Sequence, residues 1–294
     1  MEQQNKIINW LLEDENPEVK LRTLREYYEY GNERPEVVEA KENLINSPMF
    51  NHAMELLQGE KKWGKYDALI CFAEWGLTRE DIDIDEQVFG LIEQTDFKMY
   101  CGEGLLLRNL VKLGYYKEAI VQEEIATMFS QIKSDGGFGC ISKNKKINDP
   151  GKEHKSCVKI TLGYLLLLAE LKLQGISISC ESQLVNYFVK RNIFYRMDDK
   201  KTIMVPVMSQ TFYPIDAIQI GVQNLVYALT VLGQADSDAV AEGWHYMNKQ
   251  KDDDGRFRLA KSKTVPAFKP GRKNKANKWI TLYALLATKE LNLS

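Results

Sequence analysis

Two stretches of this chain repeat one another without a gap. Residues 102–138 laid over 221–257 match Gly102 with Gly221, Leu106 with Leu225, Leu110 with Leu229, Leu113 with Leu232 and Gly114 with Gly233. The match continues through Val121 and Val240, Glu123 and Glu242, Met128 and Met247, Gln131 and Gln250, Asp135 and Asp254, Gly136 and Gly255, and Phe138 and Phe257. A fixed internal repeat constrains a fold more than local propensity does, because each copy must form the same unit and bury the same face. Within each copy, leucines at i, i+4 and i+7 mark one helix face, and the Leu-Gly that follows stops the helix with a left-handed C-terminal cap. A second helix is predicted over 119–132 and over 238–250, ending in a loop that reads Gln-x-x-x-Asp-Gly-x-Phe.

Less regular helix-stop-helix units occur at 7–31, 35–58, 66–94, 158–195 and 279–291, so the chain is expected to be all-α. Strand character is confined to Thr202–Phe212, where Pro206 interrupts it. An apolar fraction of 44%, with 14 Tyr, 11 Phe and 5 Trp, suffices for a packed interior. With 39 Lys+Arg against 41 Asp+Glu, the net charge of -2 gives no general attraction for nucleic acid or an anionic membrane. The longest apolar run, Ile160 to Ala169, is too short to cross a bilayer, and Met1 to Asn16 carries no leader-like apolar segment, so a cytoplasmic location is expected. Five scattered cysteines, an odd number, do not make a disulfide framework, and reduced thiols are expected.

The loop motif Gln131-x-x-x-Asp135-Gly136-Gly137-Phe138, recurring as Gln250-x-x-x-Asp254-Gly255-Arg256-Phe257, resembles the QW-type repeat of squalene and other terpene cyclases and of protein prenyltransferase β subunits, with Phe in place of the usual Trp. The resemblance covers roughly residues 60–294. It implies an (α/α) toroid, an inner and an outer helical barrel, in which the motif's glutamine caps a helix end and its ring packs on the next repeat. Residues 1–59 read as a HEAT-like helical-repeat extension packed on that domain.

The resemblance also sets expectations for chemistry. Protonating terpene cyclases use an Asp-x-Asp-Asp acid, and this chain has only the alternating Asp81, Asp83 and Asp85. Asp252, Asp253 and Asp254 do not make the Asp-Asp-x-x-Asp that holds magnesium on a diphosphate, because position 256 is Arg. In a toroid the inner helices start at one mouth, and their starts carry Trp63, Tyr66 and Asp67; Tyr100 and Cys101; His154 and Cys157; Tyr213 and Asp216; and Lys278, Trp279 and Thr281. In prenyltransferases a catalytic zinc held by Asp, Cys and His sits at such a mouth. The corresponding ligands here would be Cys101, Cys140, His154 and Cys157, with Asp216 and Cys101 as catalytic groups. Packed thiols are the alternative for each cysteine.

Tyr66, Tyr100, Tyr213, Lys278 and Trp279 are the expected ligand-binding set. Together with Trp75, Tyr164, Tyr227 and Tyr283, these aromatics would line a lumen suited to an apolar, isoprenoid-like molecule, or would simply pack a core. From Lys261 to Lys278 run Lys261, Lys263, Lys269, Arg272, Lys273, Lys275 and Lys278 without an acid, a loop able to steer a phosphate group or an acidic partner, or a solvated loop. His52 and His245 read as packing residues. The competing function is a noncatalytic helical-repeat scaffold that binds another protein.

Overall fold

The computed structural model describes residues 2–140, 155–263 and 267–291, and the description is of these residues. They form α1 (Glu2–Leu11), α2 (Pro17–Arg22), continued by a π-helical turn Thr23–Tyr27, α3 (Pro35–Ile45) and α4 (Pro48–Gln58). These are followed by α5 (Lys62–Glu74), α6 (Asp85–Glu93), α7 (Glu103–Lys112), α8 (Ala119–Ser130), α9 (Val158–Leu173) and α10 (Glu181–Val189). The chain then makes α11 (Val222–Val231), α12 (Asp238–Asn248) and α13 (Lys278–Leu291). No described helix is long and apolar enough to cross a membrane.

The boundaries follow from local chemistry. Pro17, Pro35 and Pro48 take the first turn of α2, α3 and α4, where a missing N–H costs nothing. Ser47 and Ser237 cap α4 and α12 by accepting from the N–H of Phe50 and Val240. Gly76, Gly114, Gly175 and Gly233, all at positive φ, follow the ends of α5, α7, α9 and α11; Gly114 and Gly233 are the left-handed stops that the Leu-Gly pattern predicts, and Gly76 and Gly175 repeat the device after Trp75 and Gln174.

These four helices and α13 make the centre of the molecule. α5 packs on α7, α7 on α9, α9 on α11 and α11 on α13. α9 is buried on every side from Ile160 to Leu171, which explains why its apolar residues follow no single stripe. α7 and α9 meet most closely at Gly104 and Gly163, where a Cβ on Gly104 would come within 3.1 Å of the Gly163 carbonyl carbon.

α2 and its π-helical turn pack on α13 as well as on α3, so residues within 1–59 contact both ends of the central series. The contact is polar at its heart. Glu74, at the end of α5, is fully buried; it accepts from Arg108 of α7 at 2.6 Å and from the hydroxyl of Tyr283 of α13 at 2.6 Å. Arg22 of α2 donates to the Glu74 carbonyl oxygen at 3.2 Å and grips Glu26 through Nε at 2.8 Å and Nη2 at 2.5 Å. Lys112 of α7 donates to the same Glu26 at 2.9 Å. Burial alone would push the Glu74 and Glu26 carboxyls up, but Arg108 and Arg22 beside the first, and Arg22 and Lys112 beside the second, hold both below the ordinary value.

The repeat is visible in its bonds. In the first copy the N–H of Phe138 donates to the Thr161 hydroxyl at 3.0 Å, and the N–H of Cys157 to the Phe138 carbonyl at 2.7 Å. In the second, Phe257 donates to Thr281 at 2.9 Å and Asn277 to the Phe257 carbonyl at 2.8 Å. Gly136 and Gly255 have φ of 84° and 82°, and both rings are buried. Gln131 is exposed and donates to the Thr127 carbonyl in the last turn of α8 at 3.5 Å, a long contact of the helix-end kind that the resemblance implies. The loops are tied to the next helix by the threonine hydroxyls.

The strand-like segment also differs from expectation. Pro206–Ser209 forms a 3-10 turn, because proline at 206 cannot donate to a ladder. The strand that does form is β1 (Phe212–Tyr213), paired in parallel with β2 (Lys261–Ser262). The N–H of Lys261 donates to the Thr211 carbonyl at 3.0 Å, and the Thr211 hydroxyl donates to the Arg258 carbonyl at 2.6 Å. This pairing joins the loops that lead into α11 and α13.

Candidate functional site

A cavity of about 510 Å³ opens where α5 and α7 begin. Ile70, Leu105 and Leu106 give it an apolar floor, with Asn109 among them; Trp63, Tyr66, Asp67, Cys101 and Gly102 line the side made by the helix starts. The opposite side is Asp216, Ala217, Ile218 and Gln219, from the loop before α11, and Lys263, from the loop before α13. The β1–β2 pairing explains the meeting of these two loops, since Asp216 follows β1 and Lys263 directly follows β2.

Two carboxylates share one lysine at the mouth. Lys263 Nζ lies 3.7 Å from Asp67 Oδ1 and 3.7 Å from Asp216 Oδ2. Asp216 is held in place by its own loop, its Oδ1 accepting from the N–H groups of Ile218 and Gln219 at 2.8 Å each. Burial pushes the Asp67 carboxyl up; Lys263 opposes that shift and the charge of Asp216 adds to it. Next to them, Tyr66 donates to Glu103 Oε2 at 3.1 Å, and burial pushes the Glu103 carboxyl up. Trp63 stands edge-on to Tyr66, ring centroids 5.3 Å apart, and is 64% exposed although it is the largest side chain at the rim. Ile218, on the facing loop, is exposed too.

Beside the cavity lies a pair of thiols. Cys157 is the N-cap residue of α9, and Cys101, which lines the cavity, is its neighbour. Cys101, with the N–H groups of Ile160 and Lys159, lowers the Cys157 thiol against the opposing effect of burial. Cys101 is raised in turn, as the partner that keeps the proton. The charge of Cys157 also acts on Cys140, whose thiol burial has already raised.

Of the expected metal ligands, Cys101 and Cys157 therefore adjoin, Cys140 stands near them, and His154 lies outside the described residues. Among the described residues no group of three or more His, Cys, Asp or Glu side chains is arranged to hold a metal ion. What the described side chains supply at this place is a pair of neighbouring thiols with a third near by.

The expected ligand-binding residues divide. Tyr66, Cys101 and Asp216 line one cavity, and Trp63 and Asp67 join them there. Tyr213 and Trp279 do not line it; their rings stack on one another at 4.7 Å, and both are buried with Phe268 in the core. Lys278 pairs with Glu13, just after α1, at 2.9 Å, and Tyr100 is half-buried outside the lining. Of the basic run 261–278, Lys263 is the one cation in the lining. His52 lies 3.4 Å from Glu55 on α4, and His245 meets the ring of Tyr246 edge-on on α12. Helix register places the starts of α5 and α7 correctly, but Lys263 could be found from sequence only through the β1–β2 pairing, which its polar flanks do not announce.

In comparisons with known proteins, no family model, no curated protein and no solved structure matches the chain.

Proposed function

We propose that the chain binds an apolar small molecule, of isoprenoid size and character, in the cavity at the start of α5 and α7. The observation that carries this reading is the cavity itself: about 510 Å³, with a floor of Ile70, Leu105 and Leu106 in which Asn109 is the one polar residue, aromatic walls, and the charged groups at the mouth. That volume and that division between apolar body and few convergent polar groups are those of small-molecule sites. Trp63 and Ile218, exposed on opposite sides of the mouth, would be covered by an occupant.

The arrangement of helices supports the reading. α5, α7, α9, α11 and α13 pack in series, and α2 touches both α13 and, through Arg22, the end of α5. We take this as the inner barrel of an (α/α) toroid, with the Glu74 network closing its far end and the cavity occupying its near end. A blind, dry-floored hollow of that kind suits sequestration of a hydrophobe.

The test is a titration with farnesol and with octanol, followed by thermal shift and calorimetry. Both should raise the melting temperature of the native chain in a concentration-dependent way, since a ligand that binds only the folded state stabilises it. Ala217→Trp, which puts an indole into the mouth from a half-buried loop position, should abolish the shift while the protein stays folded. Equal shifts in the native chain and in Ala217→Trp would place the binding elsewhere.

A further inference from the structure

Resting on the reading of this cavity as a ligand site, we infer that the ligand's polar end is a cation, the ammonium of an amphipathic amine, held between Asp67 and Asp216. The mouth has one more negative charge than positive: two carboxylates face it from opposite walls, and Lys263 lies 3.7 Å from each. Those contacts are too long for good hydrogen bonds, and the lysine side chain is 38% exposed on its loop. Asp67 and Asp216 Oδ2 therefore retain acceptor capacity directed at the cavity, which an N–H-bearing head group can use.

The same groups disfavour an anion. A phosphate needs donors, and on the loop that faces the helix starts the N–H groups of Ile218 and Gln219 are already taken by Asp216 Oδ1 at 2.8 Å. The basic run that would have served a diphosphate contributes Lys263 alone to the lining, and that charge is divided between two acids. Glu103, hydrogen-bonded to Tyr66 at 3.1 Å, adds a further acid close by. Lys62 sits 5.3 Å over the Tyr66 ring on the exposed first turn of α5, and the charge of Lys159 reaches Cys101 on the α9 side.

Aromatic rings favour the same sign of charge. Trp63 and Tyr66 present their faces and edges at the rim, 5.3 Å apart, and an ammonium near an indole or phenol face is attracted by the ring quadrupole. A primary amine on an aliphatic chain meets each part of the site with its like: chain on Ile70, Leu105 and Leu106, head group between the two carboxylates, and the first methylenes against Trp63.

The experiment is isothermal titration at low salt with octylamine, octanol and octyl phosphate, each below its micellar concentration. The native chain, Asp67→Asn and Lys263→Met are compared. Octylamine should bind the native chain about tenfold more tightly than octanol, the scale of one partly solvated charge pair, and octyl phosphate should bind more weakly than octanol. In Asp67→Asn the amine preference should fall to near parity with octanol, and a cooperative thermal melt shows that the variant is folded. In Lys263→Met the preference should grow. Octanol binding as tightly as octylamine, octyl phosphate binding best, or a preference that survives Asp67→Asn would overturn the cation assignment and leave the apolar site standing. Failure of all three probes to bind the native chain would overturn both.

Discussion

The N–H of Phe138 donates to the hydroxyl of Thr161 at 3.0 Å, and this bond fastens the loop after α8 to the first turn of α9. Its counterpart between Phe257 and Thr281 fastens the loop after α12 to α13. Each threonine also donates to a carbonyl four residues earlier, Cys157 and Asn277 respectively. One hydroxyl thus satisfies a buried donor and a helix-start acceptor together.

Thr161→Val and Thr281→Val keep the shape and remove the acceptor. Each should cost about 1–3 kcal/mol, the penalty for stranding a buried backbone N–H. The two sites belong to separate copies of the repeat, so the double variant should lose the sum. Denaturant unfolding of the three variants checks this, and losses below about 0.5 kcal/mol, the range of ordinary surface substitutions, would show the bonds to be dispensable.

Glu74 makes a second, sharper case. Glu74→Leu leaves the buried guanidinium groups of Arg108 and Arg22 without a shared carboxylate, and breaking such a pair on one side typically costs about 3–5 kcal/mol. Circular dichroism melts should show this variant as the least stable of the single substitutions described.

Acid should act through the same network. Glu74 and Glu26 both sit below their ordinary value of 4.5 in the folded protein. The unfolded chain therefore takes up protons first as pH falls, so the stability that these groups contribute is complete above about 4.5 and is lost progressively below it. Glu18, Asp67 and Glu103, all raised by burial, oppose this trend. Urea midpoints measured from pH 7 to pH 3 should fall in the native chain, with a smaller fall in Glu74→Gln.

Lys263→Met should be nearly neutral for stability at pH 7, with a loss under about 1 kcal/mol, because the lysine is more than a third exposed and its ion pairs are screened. The loss relative to the native chain should shrink as pH drops through the carboxylate range, since protonated Asp67 no longer repels Asp216. A loss that grows on acidification would contradict the arrangement.

Cysteine reactivity should be ordered. With its thiol lowered by Cys101 and the N–H groups at the start of α9, Cys157 should alkylate with iodoacetamide at a lower pH than Cys140 or Cys180, both raised by burial. Cys101→Ala removes the neighbouring thiol and should move the Cys157 profile upward. Cys71, fully buried on α5 and raised by burial, should not react in the native state. Peptide mass spectrometry after short exposures at several pH values reads all three.

Much of the scaffold was legible in residues that act locally. Leu-Gly pairs give the helix stops, and the Asp-Gly-x-Phe loops give the repeat, because a positive-φ glycine and a buried ring leave direct marks in sequence. Tyr66, Cys101 and Asp216 could be named at the mouth because they sit at or near helix starts. Which way a side chain points around the helix is a finer matter: Tyr213 and Trp279 occupy similar register positions yet stack in the core. Groups whose role depends on distant partners were not legible. Glu74 and Arg108 sit among leucines and alanines with nothing nearby in sequence to mark them as an ion pair, and Lys263 is one lysine among several until β2 pairs with β1.

The contact between α2 and α13 has a consequence in time. Lys289 of α13 donates to the Glu26 carbonyl at 3.0 Å across a separation of 263 residues. At a synthesis rate of about 5–20 residues per second, tens of seconds pass on the ribosome between the making of the two. Throughout that interval the face of α2 that Tyr283 and Trp279 will cover, with Arg22 upon it, has no native neighbour from α13. The sealing of α2 is therefore delayed: the first of these helices wait for α13 before they are covered.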